Sequence, residues 1–148
     1  MTLYQAAEYS RVLELLQQIP AGQQPALELL RYGILSHLKL GKPEEAWKLY
    51  TKLVAGNRPD EPAVLRDIAR SFIVTRVRDT QEHIRIAAYT ALAEMGESDT
   101  LPILEDGLLD SSALVRARAA EAIGRAGLAG RSSALKRALR DEAPGVRI

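Results

Sequence analysis

Apolar residues along the second half of the chain recur at helical spacing. Ile84, Ala88, Ala91, Leu92 and Met95 follow one another at steps of four, three, one and three, and Val115, Ala119, Ala122, Ile123 and Ala126 repeat the same steps. Such steps place every member on one stripe of a helix of 3.6 residues per turn, the stripe that must be buried. No stretch alternates with period two for long enough to make a strand. The pattern predicts helices over about 2–18, 24–40, 43–55, 61–77, 82–95, 100–109, 112–126 and 130–140. Gly22, Gly41, Gly56, Gly96 and Gly127 fall at the breaks, and Pro25, Pro43, Pro62 and Pro102 fall near helix starts, where a missing amide proton costs nothing.

Two periods organise these helices. Asp79, Asp110 and Asp141 are 31 residues apart, and six residues after each stands an arginine, Arg85, Arg116 and Arg147, preceded by Ile84, Val115 and Val146. In the first half, Ala7, Tyr9, Val12, Leu16 and Ile19 align with Gly41, Pro43, Ala46, Tyr50 and Leu53 at an offset of 34, and Leu30, Ile34 and Leu38 align with Val64, Ile68 and Phe72. A fixed period of this length marks stacked supersecondary units, each burying its apolar face against its neighbours. The domain reading is therefore helical repeats over 1–60 and a second array over 61–148, with 61–77 as a helix shared at the junction and the last repeat truncated.

The 31-residue unit resembles a HEAT repeat of the short bacterial kind first noticed in phycobilisome (bilin) lyases. Asp79, Ile84-Arg85, Ala87-Ala88, Leu101-Pro102-Ile103-Leu104, Leu108-Leu109-Asp110, Val115-Arg116, Ala119-Ala120 and Ile123-Gly124 carry the resemblance. The 34-residue unit looks like a tetratricopeptide repeat through Gly41-Lys42-Pro43-Glu44-Glu45-Ala46 and Tyr50, although His37 stands where an aromatic is usual and Gly33 lies one place early. Both resemblances imply an all-α, right-handed α-solenoid of antiparallel helix pairs, about eight helices in all. They also imply a protein that holds other proteins, with catalysis the exception. By resemblance to HEAT proteins, Asp79, Arg85, Asp110, Arg116, Asp141 and Arg147 form a structural ladder between successive turns. Arginine suits it because its planar fork binds two acceptors at once. The last residues, Pro144-Gly145-Val146-Arg147-Ile148, correspond to the first turn of a further inner helix, so flanking repeats or domains in a longer parent chain are expected.

Composition narrows the chemistry. The chain has 148 residues, 47% hydrophobic and 26% charged, with no cysteine, which removes disulfides, thiolate catalysis and cysteine-ligated metals. No apolar run reaches the length of a membrane span, and the start lacks a basic region followed by an apolar one, so a soluble, cytoplasmic protein is the expectation. His37 and His83 have no second ligand at a repeating helical offset; helix surface residues are the simpler reading. Glu44 and Glu45 open a helix where carboxylates favour its positive end, and Ser111-Ser112 and Ser132-Ser133 read as N-caps. No phosphate loop is present. No catalytic set, metal site or cofactor is expected, and the protein reads as a non-enzyme.

Charge is segregated more than the net of +1 suggests. Glu94, Glu97, Asp99, Glu105, Asp106 and Asp110 form an acidic run, whereas Arg116, Arg118, Arg125, Arg131, Lys136, Arg137 and Arg140 surround the single acid Glu121. The basic repeat over 116–140 raises a nucleic-acid-binding alternative, but no aromatic interleaves the cations and an acidic protein partner fits better. A lyase-like protein handling a tetrapyrrole is a third alternative, resting on the family's historical name alone. The leading reading is a protein–protein interaction scaffold with a protein or peptide partner. Its concave surface is expected to present Glu28, Arg31, Leu35 and Lys39 on one helix, followed by Leu65, Ala69 and Phe72. In the second array it is expected to present Ile86, Tyr89 and Thr90 beside Glu121, with Ile86 and Tyr89 as an exposed apolar anchor.

Overall fold

The computed structural model describes residues 3–55 and 58–147, with side chains from Glu8 onward. Thr2, the break at Gly56 and the terminal Ile148 lie outside the described residues. The described residues form eight α-helices: α1 (Leu3–Gln17), α2 (Leu27–Lys39), α3 (Pro43–Leu53), α4 (Pro62–Arg76), α5 (Glu82–Met95), α6 (Leu101–Gly107), α7 (Ala113–Arg125) and α8 (Ser133–Ala138). They contain two short 3-10 turns and no strand, so the chain is the all-helical repeat protein that the periodicity predicts.

Local chemistry explains the helix limits. Pro43 and Pro102 occupy the first turns of α3 and α6, where no amide donor is needed. Gly96 and Gly127, at equivalent places one repeat apart, take φ of 62° and 68° just after α5 and α7, a left-handed conformation that closes a helix at little cost only for glycine. Ser112 and Ser132 accept the amide protons of Val115 and Leu135 as N-caps. The cap at Ser132 also corrects the last expected helix, because residues 129–131 form a separate 3-10 turn and α8 begins only at Ser133.

The chain packs as two compact units, 1–72 and 73–148. In the first unit, Leu30 and Ile34 of α2, Ala46, Tyr50 and Leu53 of α3 and Ile68 of α4 are buried together. Gly33 is buried with them, and a β-carbon there would meet a methyl group of Leu16 on α1.

In the second unit α5 packs along α7, and α7 also packs against α6 and α8. Its core joins Ala88, Tyr89, Leu92 and Ala93 to Leu104, Val115, Ala119, Ala122 and Ile123. The predicted stripe is therefore narrower than the real one. Tyr89 and Ala93 are buried as well, whereas Ile84, Ala91 and Met95 are only half-buried.

Candidate functional site

In the second unit each arginine of the 31-residue series directs its Nη1 to the equivalent pair of backbone carbonyls, and the first two also fork onto a carboxylate. The Nη1 group of Arg85 donates to the backbone carbonyls of Asp79 (2.9 Å) and Thr80 (3.2 Å), while Nε and Nη2 fork onto the Asp110 carboxylate at 2.8 and 2.9 Å. Arg116 repeats this with the carbonyls of Asp110 (2.9 Å) and Ser111 (3.2 Å) and the carboxylate of Asp141 at 2.8 and 2.9 Å. Arg147 donates to the carbonyls of Asp141 (2.7 Å) and Glu142 (3.1 Å). Thus the Asp just before an arginine offers its carbonyl, and the carboxylate comes from the Asp of the next repeat. The Asp79 carboxylate instead accepts the amide of Gln81 at 2.9 Å and lies 3.5 Å from Arg76.

These carboxylates are committed acceptors. Burial pushes the Asp110 carboxyl up, but the bonds from Arg85 and the Ser112 amide outweigh it and leave the group below the usual aspartate value. The bond from Arg116 holds Asp141 below it too. Neither is placed to exchange protons near neutral pH. Beside them a cleft of about 330 Å3 is lined by Arg78, Asp79, Arg85, Asp106, Asp110 and Ser111 with Val77 and Tyr89. Its charges nearly cancel.

Tyr89 does not form the exposed anchor expected of it. Only 3% of the residue is exposed, its ring fills the space left by the missing side chain of Gly107, and burial pushes its phenol up to about 12. The physical reason is that Gly107 and Ala119 lack bulk opposite it, so α6 and α7 approach closely enough to enclose the ring. Ile86 is half-buried and packs on the same core. The Thr90 hydroxyl donates to the carbonyl of Ile86 at 2.9 Å, and Glu121 is taken by Arg118 and Arg125. Between Thr90, Ala93, Arg118, Glu121 and Arg125 there is room for about 10 Å3, barely one water.

The first unit differs. Glu28, Arg31, Leu35 and Lys39 all lie on the exposed side of α2. Arg31 is engaged, with Nη2 on Glu61 at 2.8 Å and Nη1 on Glu28 at 2.9 Å, so Arg31, held by Glu28 on its own helix, ties α2 to the residue before α4. Leu65 and Ala69 are exposed, whereas Phe72 packs on the core of this unit. Leu35 lines a mainly apolar groove of about 420 Å3 between α1 and α2, with Tyr9, Val12, Leu15, Tyr32 and Ser36 as walls and Glu8 and Arg11 at the edge. Leu15, Tyr32 and Leu35 are 48%, 57% and 45% exposed.

Sequence reasoning named only Leu35 of this set. The missed signal was that α2 is apolar beyond one stripe: Tyr32 and Leu35, three residues apart, lie off the face formed by Leu30, Ile34 and Leu38.

Burial pushes the half-buried His37 imidazole below its ordinary value, and its Nδ1 is enclosed with no hydrogen-bond partner among the described residues. His83 is exposed. Glu45 in the first turn of α3 pairs with Lys48 at 2.7 Å. Among the described residues no group of three or more metal-ligating side chains converges, and no helix is long and apolar enough to cross a membrane.

Residues 62–124, from α4 to α7, match the family model of HEAT repeats. No curated protein matches the chain.

Proposed function

We propose that this chain, which carries HEAT repeats over residues 62–124, is a non-catalytic interaction module that holds a protein or peptide partner. HEAT repeats generally act as interaction scaffolds. In this reading the first unit is a tetratricopeptide-like platform, and docking takes place on it. The observation that carries the proposal is the groove between α1 and α2, where Leu15, Tyr32 and Leu35 stay exposed along one lining. A clustered apolar surface of this kind is what a partner helix or extended peptide covers, with aliphatic or aromatic side chains as anchors.

The ladder and the Tyr89–Gly107 contact have a supporting task in this account: they stiffen the repeats of the second unit. The test is selection of binders from a random peptide library on the intact chain, followed by Tyr32→Ala and Leu35→Asp. Selected peptides enriched in apolar anchors, with binding weakened at least about tenfold by either substitution, agree with the proposal. Peptides that bind both variants as well as the parent would refute it.

A further inference from the structure

The cations at the end of the second unit are left over once its ion pairs are assigned. Arg116 takes Asp141 and reaches Glu142 at 3.3 Å, and Arg118 and Arg125 share Glu121. Glu105 accepts the Ser132 hydroxyl at 2.7 Å. Every acid near the end of the chain is thus committed, and none occurs from residue 122 to 140. Arg131, Lys136, Arg137 and Arg140 remain, all exposed and none in an ion pair with a described residue. Three of the four share a face. Ala134, Leu135 and Ala138 pack α8 onto the core, and helical geometry continues through Leu139, so Lys136, Arg137 and Arg140 project from the opposite side.

The patch is not purely electrostatic. Leu139, between Arg137 and Arg140, is 58% exposed. A phosphodiester backbone offers nothing to cover a leucine, and no aromatic residue follows Tyr89 to stack on a base. A peptide offers both, carboxylates for the cations and an apolar side chain for the leucine.

We propose that the outer face of α8, formed by Lys136, Arg137, Leu139 and Arg140 with Arg131 nearby in sequence, binds an acidic peptide segment that carries an apolar residue among its carboxylates. This site is separate from the groove of the first unit and does not depend on it. Exposed ion pairs are individually weak, so recognition rests on several acting together with the leucine, and it falls with added salt.

The test uses fluorescence anisotropy of the intact chain with three labelled probes: a Glu/Asp-rich peptide containing leucines, the same peptide with Gln and Asn for the acids, and a DNA duplex. The expected result is binding of the acidic peptide only, weakened at least about tenfold by Lys136→Glu/Arg137→Glu/Arg140→Glu and several-fold by Leu139→Ser, with unchanged circular dichroism. Arg66→Glu, an exposed charge reversal on α4, is expected to change nothing. Three results would overturn the proposal: no binding of the acidic peptide, binding that survives the triple reversal, or tighter binding of the duplex. The same probes are run on the Leu35→Asp variant, where binding at α8 is expected to persist, so that the outcome is independent of whether α1 and α2 dock a partner.

Discussion

Asp110 offers the sharpest perturbation of the ladder. Its carboxylate accepts two bonds from Arg85, at 2.8 and 2.9 Å, and one from the Ser112 amide at 2.8 Å, with both ion-pair side chains only 13% exposed. Hydrogen bonds to a charged group contribute about 1.5–3 kcal/mol each when shielded from water, although bonds to one carboxylate are not additive. Asp110→Ala removes all three. The Arg85 guanidinium is not stranded, because two backbone carbonyls still hold its Nη1, and this keeps the loss well below the sum. The expected destabilisation is about 2 kcal/mol, which for a chain of this size lowers the melting temperature by about 4–8 °C. Asp110→Asn keeps an acceptor for Ser112 and loses the charge, so it falls between the parent and the alanine variant.

The assay is thermal unfolding followed by helical circular dichroism, run as a double-mutant cycle with Arg85→Gln. The double variant is expected to lose clearly less stability than the two single losses added together. The acid limb provides a second reading. Because the folded state holds the Asp110 carboxyl below its unfolded value, the bond's contribution is complete above about pH 4 and disappears as pH falls through the lowered value. Asp110→Ala should therefore flatten the acid limb of the stability curve. An unchanged melting temperature, or strict additivity in the cycle, would refute the ladder as a stabilising device.

Three further outcomes follow from the packing. Gly107→Ala would set a methyl group 2.5 Å from the Tyr89 ring and 2.8 Å from Ala119, neither of which can swing aside, so a loss of about 1–3 kcal/mol is expected in denaturant unfolding. Ser132→Ala removes the cap of α8 and the bond to Glu105, and is expected to cost about 1 kcal/mol by the same assay. Burial lowers the His37 pKa in the fold, so stability should fall as pH drops below about 6.5 toward that lowered value, and His37→Gln should reduce this slope in acid denaturation curves.

Periodicity made the helices and the ladder series legible because both depend on local spacing. An arginine six residues after each aspartate could be seen in the sequence; that its side chain forks onto the aspartate 25 residues later required the stacked geometry. Binding residues were harder to read, since exposure depends on what lies opposite in space. Tyr89 looked like an anchor by subtraction of a five-residue stripe, but Gly107 on α6 opens a notch that encloses it. Tyr32 was passed over because α2 already had a complete core face, and a surplus apolar residue shows its meaning only when α1 is placed beside it. The limits of α8 moved because a single serine cap reset the helix after a 3-10 turn.

The central claim is that a partner docks on the first unit through the groove between α1 and α2. A titration of the isotopically labelled chain with a library-selected peptide, followed by backbone amide shifts, tests it most directly. The account predicts that the largest shifts fall at Tyr9, Val12, Leu15, Tyr32 and Leu35, with the ladder residues Arg85, Asp110 and Arg116 unmoved. Shifts concentrated instead at Ile86, Thr90 and Glu121 would contradict it.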